Sequence, residues 1–179
     1  MQALIFDTET TDLISNSLLP DQHQPRVIEF YGHIVEDDGT VLQGLEFLCN
    51  PGIKINEKIT SITGISQSDI ENAPPFLYFE GQLRGLIEAA NAVVAHNLSY
   101  DFDVINFEFK RLYKLDYVQW PMTRICTVQE TEWYKGYRLS LTALHEHLFD
   151  KGFPSAHRAK DDVMALTRCY LELLKRGDL

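Results

Sequence analysis

The chain has 179 residues, of which 45% are hydrophobic, and it carries 16 lysines and arginines against 26 aspartates and glutamates, a formal net charge of -10. This length and apolar content predict one domain with a buried core, formed by residues 1–179 as a single unit. The acidic balance argues against an extended, nonspecific electrostatic grip on duplex nucleic acid, although a nucleic acid held locally through metal ions stays compatible with it.

The cysteines and the hydropathy pattern indicate the compartment. Cys49, Cys126 and Cys169 are far apart and odd in number, so they support neither a disulfide framework nor a Cys-x-x-Cys metal site. Asp7 interrupts the N-terminal apolar run before it could serve as a signal peptide. No stretch approaches the roughly 18 apolar residues of a membrane span. We therefore predict a soluble, cytoplasmic protein with no membrane partner.

The hydrophobic pattern predicts three strands that fold as a meander, followed by alternating helices and strands. The strands are expected at residues 3–6, 26–35, 41–48, 92–95 and 124–127. The helices are expected at residues 57–63, 77–90, 100–113 and 140–149, with a long last helix that ends at residue 176. Gly64 stands where a left-handed cap would end the first helix. The predicted fold class is α/β, with a mixed five-stranded sheet that combines an antiparallel three-strand meander with parallel strands and is flanked by helices.

Two carboxylates, Asp7 and Glu9, follow the first apolar run directly. In an extended chain they point to the same side and repel each other, so their proximity is costly unless a cation or a proton neutralises it. Ligands that offer only oxygen select hard divalent ions such as Mg²⁺ or Mn²⁺. An isolated Asp-x-Glu is more often the polar start of a loop, so a metal site requires further carboxylates elsewhere in the chain.

A second acidic group follows the predicted strand at residues 92–95. Helical spacing places Asp101 four residues before Ile105 on the apolar face, whereas Asp103 falls on the polar side and is expected to meet solvent. An acid on a core-facing stripe near the carboxyl end of a strand needs a partner, so Asp101 joins the candidate metal site. A helix N-cap is an equally good interpretation of Asp101 when it is considered alone.

The last helix poses the same choice between two neighbouring acids. Asp162 shares an apolar stripe with Val163 and Leu166, whereas Asp161 lies on the outer face, so Asp162 is the candidate ligand. His157 precedes it by five residues, on the loop or first turn that leads into the helix, where a mobile position suits a group that approaches and leaves a substrate. A lone histidine is otherwise more often a surface or packing residue.

Three other histidines receive structural interpretations. His96 follows an apolar strand and is expected to form structural hydrogen bonds. His145 and His147 stand two residues apart on a predicted helix and lack a His-Glu-x-x-His pattern for zinc, so we expect both to be surface residues.

Taken together and in this order, the three acidic groups resemble the motifs of the DEDDh exonucleases, the family that includes the proofreading epsilon subunit of bacterial DNA polymerase III. The segments that carry the resemblance are residues 6–11, 25–29, 62–65, 96–101 and 157–162. It implies a ribonuclease H-like fold and stepwise removal of nucleotides from a 3′ end. By the same resemblance, two metal ions would be held by Asp7, Glu9, Asp101 and Asp162, and His157 would be the general base.

The sequence also departs from the family. Asp12 stands where the family usually has glycine, and Thr63 stands where relatives often have histidine, so substrate preference is open. Arg158 occupies the position at which a related subgroup uses tyrosine in place of the histidine, which disfavours that subgroup.

Two metal ions about 3.5 to 4 Å apart can bind both the attacking and the leaving oxygen in phosphodiester hydrolysis. We expect Mg²⁺ in this role, with Mn²⁺ able to substitute. By resemblance, Thr8 should contact the terminal nucleotide, and Leu13 could stack against its base. Ordinary packing is an equally good interpretation of Leu13.

The sequence therefore predicts a metal-dependent 3′-5′ exonuclease acting on single-stranded or frayed DNA ends and releasing nucleoside 5′-monophosphates, in proofreading or repair. A proofreading role would require a DNA polymerase partner. An RNA-trimming 3′-5′ exoribonuclease of the same family shares these motifs and is the nearest alternative. A noncatalytic polymerase-binding or nucleic-acid-binding module is the alternative from another class, and the complete set of four acids with His157 speaks against it.

Overall fold

A computed structural model describes residues 1–14, 20–113, 118–153 and 157–179 of the chain. Five strands form one sheet in the order β3-β2-β1-β4-β5. They are β1 (Ala3–Thr10), β2 (Val27–Val35), β3 (Val41–Leu48), β4 (Ala92–Ala95) and β5 (Thr123–Cys126). The first three pair antiparallel, β4 lies parallel to β1, and β5 lies parallel to β4. The predicted mixed five-stranded sheet is confirmed.

The strand bounds agree with the sequence prediction to within one residue, except at the end of β1. The prediction ended this strand at residue 6 because the apolar run stops there. Pairing continues further, with Asp7 opposite Tyr31 and Glu9 opposite Glu29. Backbone groups form the ladder whatever the side-chain charge, so the two acids lie within the strand instead of on a loop.

Seven α-helices are described, namely α1 (Glu57–Thr63), α2 (Gln67–Ile70), α3 (Glu80–Ala89), α4 (Leu98–Tyr113), α5 (Thr127–Glu130), α6 (Leu141–Phe149) and α7 (Ala159–Arg176). Gly64 has φ 71° and ends α1, as predicted. Ser140 caps α6 by accepting a hydrogen bond from the amide of Ala143. In the described residues, no helix combines the length and the apolar character needed to cross a membrane.

The two faces of the sheet receive different helices. Leu4 and Phe6 of β1 point to the face on which α3 and α4 pack. Ala3 and Ile5 point to the opposite face, where they meet Val163 of α7. Because side chains alternate along a strand, Asp7 and Glu9 share the α7 face, whereas Thr8 shares the α4 face.

Two histidines form structural contacts in this packing. His96 contacts Thr127 Oγ1 at 2.9 Å and the carbonyl of Leu139 at 3.1 Å, so its structural interpretation is confirmed. The expectation that His145 is a surface residue is wrong, because it is 2% exposed. Its Nδ1 lies 2.7 Å from the carbonyl of Lys151, and its Nε2 accepts a hydrogen bond from Arg168 Nε at 3.2 Å. The buried stripe of α6 passes through this position where the helix packs on α7.

Candidate active site

Three carboxylates from opposite ends of the chain meet at one end of the sheet. Asp7 and Glu9 of β1 and Asp162 of α7 each place an oxygen within 4.8 Å of the others. Their proximity follows from the fold, because the α7 face of β1 is covered by the helix that carries Asp162. Among the described residues, no hydrogen bond or ion pair engages the carboxylate of Asp7 or Glu9. Such a cluster has the oxygen ligands that a divalent cation prefers.

Asp101 approaches the cluster from the other face of the sheet. It is 3% exposed, and its Oδ1 accepts hydrogen bonds from the amide of Thr8 at 3.0 Å and from its hydroxyl at 2.6 Å. Because Asp101 is the fourth residue of α4 and binds β1, it is not the N-cap of its helix. It lies outside the 4.8 Å group, but its charge raises the pKa of Asp7 and of Glu9. Asp103, expected in solvent, is half-buried.

The acids share an environment that opposes ionisation. Burial, then the charges of Asp101 and Glu9, hold the pKa of Asp7 well above its usual range. Burial, followed by the charge of Asp162, raises the pKa of Glu9 to about 8. Burial also raises the pKa of Asp101 to about 7, against the hydrogen bonds from Thr8. Burial raises the pKa of Asp162 as well. Carboxylates in this condition bind either protons or cations, so the donor set fits divalent metal ions.

His157 lies at the entrance to α7 with an exposed side chain. Its backbone amide donates a hydrogen bond to Asp162 Oδ2 at 3.1 Å. Its φ of 78° lies in the left-handed region, which is unfavourable for a residue with a Cβ. The contact with Asp162 thus holds His157 beside the acidic cluster in a conformation that needs support from its surroundings.

A pocket of about 190 Å³ adjoins the acids between the end of β1 and helix α1. Thr8, Glu9, Leu13 and Thr63 are among its lining residues. Leu13 is 71% exposed, so the interpretation of this side chain as ordinary packing is wrong. The pocket instead presents an apolar side chain to solvent next to the carboxylates.

Hydrogen bonds hold the turn that carries Leu13. The carbonyl of Asp12 accepts from the Tyr100 hydroxyl and from the Thr10 hydroxyl, both at 2.8 Å. The Thr10 and Tyr100 hydroxyl groups also lie within hydrogen-bonding distance of each other, so their two protons are shared among these three contacts. Tyr100 belongs to the same turn of α4 as Asp101, so one helix end supports both the pocket and the acids.

Sequence reasoning gave no role to Glu29. This residue of β2 lies opposite Glu9, is 4% exposed, and forms an ion pair with Arg158 at 2.6 Å. The available signal was an acid between the apolar residues Ile28 and Phe30 of a strand, since such an acid needs a partner.

Comparisons with known proteins agree with this geometry. The family model described as Exonuclease (RNase_T) matches residues 4–170. A DNA polymerase III PolC-type protein of Ureaplasma parvum serovar 3 is 30% identical over 170 residues, which are 93% of this chain and 11% of that protein. The 3′-5′ exonuclease DinG of Bacillus subtilis is 27% identical over 178 residues, 97% of this chain and 18% of that protein. This chain thus spans less than a fifth of the length of either relative.

A solved structure has the same fold. The nuclease domain of 3′hExo, a DEDDh family member bound to rAMP, superposes with a TM-score of 0.79 at 17% identity, over 98% of this chain and 92% of that one. The ribonuclease H-like fold and the resemblance to the DEDDh exonucleases are therefore confirmed. The family model covers most of the length of this chain, and the chain therefore belongs to the RNase_T exonuclease family.

Proposed function

We propose that residues 1–179 form a single metal-dependent 3′-5′ exonuclease domain that hydrolyses phosphodiester bonds at the 3′ end of DNA and releases nucleoside 5′-monophosphates. The observation that carries the proposal is the approach of Asp7, Glu9 and Asp162 within 4.8 Å. A noncatalytic binding module would have no use for three half-buried carboxylates held this close together.

In this proposal, two Mg²⁺ ions would be held by Asp7, Glu9, Asp101 and Asp162, and Mn²⁺ could substitute. When bound, such ions supply Lewis-acid stabilisation of the charge that develops on the phosphate and the leaving oxygen. Four carboxylates and two divalent cations sum to zero formal charge, which balances the acids that burial leaves uncompensated.

His157 is the proposed general base. Its side chain is exposed at the entrance to α7, and its backbone contacts Asp162. Histidine is a common general base near neutral pH, where an ordinary carboxylate is too weak a base.

The terminal nucleotide is proposed to enter the pocket next to Glu9. Thr8 lies between the two acids of β1 and lines this pocket, and the exposed Leu13 offers an apolar surface on which a base can stack. Asp12 also lines the pocket and adds negative charge beside the site, so it favours substrates whose phosphates lie away from that turn.

DNA is the proposed substrate because two relatives carry the names of a DNA polymerase and of a 3′-5′ exonuclease. Proofreading in contact with a polymerase, or repair, fits these relatives. The three free, buried cysteines fit the reducing cytoplasm. An exoribonuclease is the second candidate, because 3′hExo was solved with rAMP.

A digestion time course with 5′-labelled single-stranded DNA, duplex DNA and RNA, with and without Mg²⁺ or Mn²⁺, tests the proposal. We expect a metal-dependent ladder that shortens from the 3′ end. Asp162→Asn should abolish the ladder, whereas Asp161→Asn, on the exposed face of the same turn, should retain it. Full activity of the Asp162 variant in a folded protein would refute the assignment.

A further inference from the structure

Glu29 is a fifth acid at the site, and the proposed mechanism does not use it. It lies directly across from Glu9 on the neighbouring strand, yet it is not a member of the group of three within 4.8 Å. Its carboxylate is almost fully buried, so its charge requires partners within the protein.

Both oxygens of Glu29 bind the entrance of α7. Oε1 accepts from Arg158 Nη2 at 2.6 Å and from Nε at 3.1 Å. Oε2 accepts from Nε at 3.2 Å and from the amide of Ala159, the first residue of α7, at 3.0 Å. A forked arginine contact and a helix N-terminus both stabilise an ionised carboxylate. Protein donors therefore satisfy both oxygens of Glu29 without any metal ion.

These contacts act on the residues that follow His157. Arg158 and Ala159 are bound to β2 through Glu29, while the amide of His157 is bound to Asp162. Asp162 thus holds the left-handed backbone of His157 directly, and Glu29 holds the two residues that follow it. The sheet also contacts this end of α7 through Lys160, whose Nζ lies 2.6 Å from Glu46 Oε2 of β3, but that ion pair is exposed to solvent, so Glu29 is the buried anchor.

We propose that Glu29, acting through Arg158 and Ala159, is a positioning residue that fixes His157 at the acidic cluster. The proposal rests on the proposed function in one respect, the role of His157 as general base. Strand β2, as well as α7, then determines the position of the His157 imidazole.

Glu29→Gln is the first test, because glutamine keeps an acceptor for Ala159 and loses the charge that pairs with Arg158. We expect kcat on single-stranded DNA to fall about 10- to 100-fold, the usual range for a partner that orients a functional group, with little change in KM. Calorimetric titration should show that Mg²⁺ still binds. Loss of Mg²⁺ binding in the folded variant would place Glu29 in the metal site and overturn the proposal.

A double-mutant cycle separates positioning from general destabilisation. In a His157→Ala background, Glu29→Gln should cause no further loss of kcat, because the group on which it acts is gone. An additive loss would contradict the inference. If Glu29→Gln does not fold, Arg158→Ala takes its place in the cycle, and Arg158→Lys should retain more activity than Arg158→Ala.

Nuclear magnetic resonance gives a reading that does not depend on nuclease activity. Glu29→Gln should shift the backbone amide and ring signals of His157, while the ring signals of His147 on α6 stay in place. If wild-type protein degrades no nucleic acid but these shifts occur, the proposed function fails and the anchoring stands. Unchanged His157 signals would overturn the anchoring in either case.

Discussion

Replacing Glu9 by glutamine should stabilise the metal-free protein while removing its activity. Glu9 lies in the acidic cluster, and burial together with the charge of Asp162 raises its pKa from 4.5 to about 8. A carboxyl group whose folded-state pKa is raised contributes stability at low pH, and that contribution is lost as the pH rises towards the folded-state value. Stability of the metal-free wild type should therefore fall between pH 4.5 and about 8.

The size of the effect follows from the same pKa. Each tenfold change in acidity is worth about 1.4 kcal/mol, so the full rise corresponds to roughly 5 kcal/mol above pH 8. Partial solvent access and readjustment of the neighbouring acids reduce this energy. We therefore expect Glu9→Gln to increase the free energy of unfolding by about 2 kcal/mol. In a domain of this size such a gain raises Tm by about 4 to 8 °C.

Scanning calorimetry in a chelator at pH 5, 7 and 9 measures this difference. The gain for Glu9→Gln should be small at pH 5 and largest at pH 9, and added Mg²⁺ should raise the Tm of the wild type more than that of the variant. Glu130→Gln, an exposed change on α5, serves as the control and should leave the pH profile unaltered. A variant no more stable than the wild type at pH 9 would refute the electrostatic reasoning.

Three further changes test other parts of the structure. Thr8→Val removes the hydroxyl that binds buried Asp101 and should lower the free energy of unfolding, measured by denaturant titration, by about 1 to 3 kcal/mol. An unchanged denaturation midpoint would show that this hydrogen bond does not stabilise the fold. Leu13→Ala should leave Tm unaltered, because the side chain is 71% exposed, but raise KM for single-stranded DNA. Gly32→Ala should lower the free energy of unfolding by about 1 to 3 kcal/mol, because the Cβ of the new alanine would lie 2.9 Å from Phe30 Cζ. An unchanged free energy of unfolding would show that the strand shifts easily.

Local patterns predicted most elements to within a few residues. The third and fourth strands have the predicted bounds, because each is a short run delimited by turn residues. The end of β1 was misjudged at residue 6, since the apolar pattern cannot show that β2 continues to pair beyond it. Similarly, His145 is buried because α6 packs on α7, and the hydrophobic pattern of α6 alone does not show this contact.

The sequence by itself determined which acids face inward. Helical spacing selected Asp101 and Asp162 over their neighbours, because periodicity within one element is a local property. Only the tertiary structure decided which groups meet, and the clearest case is Glu29 with Arg158, 129 residues apart in the chain. The physical reason is that side-chain direction depends on backbone geometry nearby, whereas partners depend on how the sheet brings distant segments together.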